Sequence, residues 1–280
     1  MGVSVAAARE IAVNNVDGGP VTTISAALRQ ACPGDRIVLA NTGRPYHESI
    51  SLVGSRLSGS SFGPLVLMGN GAVLDGAAPV PPDAWEHYEN LVFRFRPRVA
   101  GSQQLFIAGR PVPYVPAPPH SNLPPKLQPL QWSLVEGVIY FAAEASKLPS
   151  QYDVSYAAQQ TGITLYHVQQ VVITDLVVQG FRVDGIQAAN SAREIQIINV
   201  TCRGNGRAGI AVGGASQVAI ERCTIGDNRW AQLLTLPLSE THVFRSELLP
   251  LTAPAWVDQG GRFFLGPKQL AGGLTEIRAE

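Results

Sequence analysis

Five ionisable side chains recur at related positions in the second half of the chain: Asp175, Glu221, Arg222, His242 and Arg245. Two carboxylates, two guanidiniums and an imidazole on one surface would supply acid and base groups, together with cations that neutralise an anionic ligand. Their proximity depends on a repeat. Aligning the chain on Gly162, Gly185 and Gly209 gives periods of 23 and 24 residues, and a degraded fourth copy begins near Ala231. Thr174, Ile198, Glu221 and Phe244 then share a column. Asp175, Asn199, Arg222 and Arg245 share the next, and Val172, Gln196, Ala219 and His242 a third. Stacked charges of both signs also describe an ordinary solvated face with weak ion pairs, and that reading stands beside the functional one.

The elements that must carry these columns are short strands. Each copy places apolar residues at period-two spacing: Val171, Ile173, Leu176, Val178; then Ile195, Ile197, Val200, Cys202; then Val218, Ile220, Cys223, Ile225. No helical face accompanies them, so the period predicts a coil of parallel strands, each about 4.8 Å from its neighbour, with like side chains stacked in buried columns. Cys202 and Cys223 fall two residues out of register, too far apart for a disulfide, and read as core filler. Asn205 and Asn228 lie in turns, where Asn ordinarily bonds to nearby backbone. The arginines of the same turns, Arg182, Arg203, Arg207 and Arg229, have the guanidinium fork that matches a carboxylate.

Around the coils the sequence predicts a cap, an insertion and a tail. Residues 1–80 read as an N-terminal cap and first coils: Ile24, Ala27, Leu28 and Ala31 mark one face of a short helix, Pro33-Gly34-Asp35 ends it, and a strand follows at Arg36 to Ala40. Residues 81–156 read as an antiparallel β insertion with a loop at 111–129 whose prolines block regular pairing. Coils resume over 157–250, and 251–280 read as a C-terminal cap built on "GGRFFLG". Lys plus Arg and Asp plus Glu are 21 each, so no global field attracts nucleic acid or an anionic membrane. No stretch has the length of a membrane span, no signal-peptide pattern opens the chain, and no His or Cys spacing suits a metal.

The order helix, "PGD", strand, "Y-x-E" at Tyr46 and Glu48, "GPLVLMG" and Gly-Ile repeats resembles the right-handed parallel β-helix proteins of the pectin-lyase-like superfamily, over residues 20–78 and 157–250. The fold class this implies is all-β: a right-handed parallel β-helix with an N-terminal capping helix and a small antiparallel insertion. The resemblance also implies a carbohydrate-active protein, extracellular or at the cell surface, acting on an extracellular polysaccharide or oligosaccharide. Lyase, glycoside hydrolase and epimerase activities occur in the superfamily, and a non-catalytic β-helix surface module is the alternative. Calcium enters as a cofactor by resemblance alone. β-Elimination needs a base and a cation, roles that Arg222 or Arg245 with His242 would fill, whereas hydrolysis needs paired carboxylates. Asp175 and Glu221, two coils apart at about 10 Å, are at the wide limit for such a pair. Catalytic candidates are therefore Glu221, Arg222, His242 and Arg245. Asp175, with Tyr114 and Trp132 of the insertion as a stacking wall, would bind substrate, Trp132 being equally a core residue of its own sheet.

Overall fold

A computed structural model describes residues 8–16, 19–60 and 63–272, and the backbone of Ile277–Arg278. Its body is a parallel β-helix in which each coil contributes three strands. The copy with Ile186 is representative: Asp184–Asn190, Arg193–Ile198 and Thr201–Arg203. First strands stack as a six-stranded sheet, from Ile50–Val53 through Ile163–Tyr166 to Trp256–Asp258. Second and third strands belong to a 13-stranded sheet, because Leu65–Asp75 and Gln169–Gln179 each run through both positions and bend midway.

Like residues do stack on like. Ile50, Ile163, Ile186, Ile210, Leu233 and Trp256 share one register column. Leu67, Ile173, Ile197, Ile220 and Val243 share a second, and Leu74, Val178, Cys202, Ile225 and Leu248 a third, all fully buried. Burying an aliphatic side chain of this size contributes about 1.5–3 kcal/mol, so each coil is held chiefly by its contact with the next. The glycine of the Gly-Ile phrase has its own reason. At Gly209 a Cβ would stand 2.3 Å from the Ile225 methyl, because this backbone passes directly over the third-strand column.

The ends add strands to the sequence reading. An additional strand, Glu10–Val13, pairs in parallel with Arg36–Leu39 and lengthens the large sheet at its N-terminal end. The helix Ile24–Gln30 buries Ile24, Ala27 and Leu28, with Thr23 accepting from the Ala26 N–H and the Glu48 carboxylate from those of Ile24 and Ser25. Stacking also continues past residue 250. Trp256 and Val257 pair with Leu233 and Leu234, and Arg262–Leu265 pairs in parallel with Glu240–Phe244 before turning back on Lys268–Leu270. Trp and Phe occupy core positions there that β-branched residues fill elsewhere, which is why the repeat fades in the sequence. Residues 273–276 and 279–280 of the tail lie outside the described residues.

Between Asp75 and Gly162 the chain leaves the solenoid and builds two four-stranded antiparallel sheets. One contains Glu86–Glu89, Val92–Phe95, Trp132–Val135 and Val138–Ala142. The other contains Ala77–Pro79, Leu105–Ile107, Arg110–Pro111 and Val154–Ala157. They enclose a separate core of Phe95, Leu105, Trp132, Ile139, Phe141 and Tyr156. The excursion starts and ends at the corner between a third and a first strand. It therefore stands beside the equivalent corners of later coils, residues 180–183, 204–207 and 227–230. Arg182 donates to the Ala100 carbonyl at 2.7 Å and Arg229 to that of Gln103 at 3.2 Å, tying insertion to coils.

Candidate functional site

The three outward columns exist in the register read from the sequence. Ile198 pairs with Glu221 and Glu221 with Phe244; Gln196 pairs with Ala219 and Ala219 with His242. The remaining column, just past the Glu221 column at the strand ends, has a property the sequence did not disclose. Asp175, Asn199, Arg222 and Arg245 all adopt left-handed backbone, with φ of 54°, 53°, 52° and 44°. They are the corners that turn second strands into third ones. Asp and Asn tolerate this region, whereas Arg takes it only because the coils on either side impose the bend.

Corner geometry separates the predicted site residues. Asp175 accepts from Thr174 at 2.9 Å and from the Asn199 amide at 2.5 Å. Glu221 is bound by its neighbour Arg222 at 2.5 Å, both side chains partly exposed. His242 does not face Glu221. Its Nε2 is 2.9 Å from Glu240 Oε1, and Glu240 also holds Arg262. The Glu240 carboxyl is held below its ordinary pKa, first by the bond to His242. Arg245 is exposed and makes no side-chain hydrogen bond with another described residue. Each carboxylate of the patch thus has its own local partner: Asp175 has Asn199, Glu221 has Arg222, and Glu240 has His242 and Arg262. Glu240 and Arg262 were missed in the sequence, although Glu240 lies two residues before His242 on the same strand face.

Tyr114 and Trp132 belong to a different surface. Trp132 is fully buried and its indole N–H donates to the Val112 carbonyl at 2.9 Å, so it is core of the insertion and offers no stacking face: the substrate-binding role is corrected. Tyr114 packs on it with ring centroids 4.9 Å apart, and Arg229 sits in the angle between the two rings, its guanidinium carbon 4.0 Å from the Tyr114 centroid and 5.7 Å from that of Trp132. Around this contact the insertion and the coil corners leave two adjoining clefts. One, of about 800 Å³, is lined by Arg110, Pro111, Tyr114, Arg203, Asp227 and Arg229, among others. The second, of about 700 Å³, shares Tyr114 and Arg229 and adds Arg207 and Trp230.

Arg203 and Arg207 are each held by a specific group. Arg203 donates through Nε to Gln179 Oε1 at 2.9 Å, and Gln179 in turn donates to Asp75 at 2.8 Å, a polar ladder across three coils. Arg207 grips the fully buried Asp184 of the preceding coil through Nε and Nη2, at 2.9 and 2.5 Å. Burial pushes the Asp184 carboxyl upward and Arg207 opposes that push, while the guanidinium itself is held firmly cationic. Arg110, from the tight "IAGRP" turn, is exposed at the mouth and was not singled out in the sequence. Cys202 and Cys223 are free, buried thiols within the core. No group of three or more His, Cys, Asp or Glu side chains able to hold a metal gathers among the described residues. No helix among the described residues is long and apolar enough to cross a membrane.

Comparisons agree with this architecture. Residues 153–247 match the family model described as "Right handed beta helix region". A solved structure titled "Glycoside hydrolase" superposes with a TM-score of 0.65 at 10% identity, covering 90% of this chain and 74% of its own. Another, titled "The complex structure of XylC with xylose", gives 0.46 at 12% identity, covering 92% and 68%. No curated protein matches the sequence. The chain is a right-handed parallel β-helix.

Proposed function

We propose that this β-helix protein is carbohydrate-active and binds an acidic polysaccharide in the groove between its insertion and the coil corners. The observation that carries the reading is the groove lining: Arg110, Arg203 and Arg229 converge there with the Tyr114 ring, against a single carboxylate, Asp227. Guanidiniums pair bidentately with carboxylates, and the Tyr114 ring fixes the place of one of them by holding the Arg229 guanidinium against its face. A single carboxylate does not make the two-carboxylate machine of a hydrolase, so the lining favours binding. The fold shared with a structure titled "Glycoside hydrolase" supports carbohydrate as the ligand class.

The test is affinity electrophoresis of the full chain through gels containing polygalacturonate, alginate or neutral xylan, with unsaturated-product absorbance and new reducing ends read in parallel. Retardation by an acidic polymer, weakening with salt, is the expected result. The double variant Arg110→Ala with Arg203→Ala should lose at least tenfold in affinity while melting as the native protein does. Unchanged retardation in that variant, or none by any acidic polymer, rejects the reading.

A further inference from the structure

The outer face of the second strands carries an aromatic shelf with an empty place above it. His242 lies flat on Phe264 of the next coil, with centroids 4.4 Å apart and planes within 5°. Phe244, two residues along the strand, is parallel to His242 within 9° at 6.2 Å, so the two rings lie side by side as one platform. Because these rings stack along the solenoid axis, their other faces point toward the preceding coil. There the residue in register with His242 is Ala219, which contributes only a methyl group. The residue in register with Phe244 is Glu221, whose side chain is 34% exposed. One coil further, Gln196 closes the column.

We infer that this slot binds one pyranose ring of a neutral oligosaccharide, stacked on His242 and Phe244 in the place that Ala219 leaves open. Gln196 and His242 are two strand spacings apart, about 9.6 Å, so a ring seated midway lies about 4.8 Å from each. That is wider than the about 3.5–4.0 Å contact between carbons of flat ring faces, and it suits a puckered chair with axial hydrogens. Such a chair presents C–H groups to the negative face of the platform. Its hydroxyl edge meets the Glu221 carboxylate on one side and the Gln196 amide above, an acceptor and a two-way partner. Glu221 is already paired with Arg222, so the rim is close to neutral and selects hydroxyls over charge. The slot lies on a different face from the arginine groove, and its ligand is of the opposite character.

Saturation-transfer NMR on the full chain with cellohexaose, xylohexaose and mannohexaose tests the inference. At least one of these sugars should receive saturation on the ring protons of one face. Ala219→Phe, which fills the slot with a ring while extending the exposed stack, should weaken that sugar at least tenfold without lowering the melting temperature. His242→Gln, which keeps a polar side chain but removes the ring, should do the same. The Arg110→Ala and Arg203→Ala double variant should bind it as the native protein does, which separates this site from the groove. No transfer to any of the three sugars, native affinity in both slot variants, or loss confined to the arginine variant would overturn the proposal.

Discussion

The Asn205 side-chain amide donates to Asn228 Oδ1 at 2.9 Å, one coil to the next, and the Asn205 backbone N–H converges on the same oxygen at 3.0 Å. Both side chains are fully buried. Asn205 Oδ1 accepts from the Phe181 N–H, while the Asn228 amide donates to the Cys202 carbonyl and to Gln232 Oε1. These two residues therefore satisfy the backbone of the corners that face the insertion, in a place water does not reach.

That ladder makes Asn228 a stability determinant. Replacing it with Ala orphans several buried donors and acceptors, each costing about 1–3 kcal/mol. Asn228→Ala should lose about 3 kcal/mol or more in urea denaturation. Asp227→Ala, at the neighbouring half-buried position, should change stability by less than about 1 kcal/mol. Equal effects would show that the ladder is dispensable.

Ile197 is fully buried between Ile173 and Ile220. A carboxylate there has no partner and no water, so Ile197→Asp should destabilise by more than about 4 kcal/mol. The expected outcome is loss of the cooperative thermal transition followed by far-UV circular dichroism. A soluble variant melting within a few degrees of the native protein would contradict the stacked-column account.

Acid should loosen the N-terminal cap. Burial raises the Asp35 carboxyl, but bonds from Arg9 Nε and the Cys32 and Arg9 backbone N–H groups outweigh it and bring its pKa below the ordinary value. A carboxylate with a depressed folded pKa stabilises above its unfolded pKa, about 4, and that contribution disappears as pH falls through the folded value. Asp35→Asn should cost about 1–2 kcal/mol at pH 7, mostly through the backbone bonds, since Arg9 is half exposed. Its deficit relative to the native protein should shrink below about pH 4. A constant deficit across pH would argue against an ionic role.

Thiol chemistry should distinguish the cysteines. Cys32 is exposed, whereas Cys202 and Cys223 are buried. Burial raises the thiol of Cys223 to about 11 and that of Cys202 well above its usual value, so neither forms the reactive thiolate at neutral pH. Ellman's reagent should titrate one thiol in the native protein and three after denaturation. Two or more reactive thiols in the folded state would mean the coils open readily.

The 23-residue phrase determined the solenoid, because identical coils bury their surfaces only by placing Ile186 on Ile163 and Ile210 on Ile186. Outward registers such as Glu221 with Phe244 followed from the same period, as did the structural role of Asn205 and Asn228. What the repeat does not encode is how its outward side chains bend and pair. Left-handed corners separate Asp175 and Arg222 from the strand faces beside them, and His242 turns to Glu240 and Phe264, contacts set by the pitch of adjacent coils. The Arg110, Arg203 and Arg229 groove was hidden for a further reason. Its walls come from segments about 100 residues apart, brought together only because the insertion leaves the helix at the corner where Asn205 and Asn228 stack.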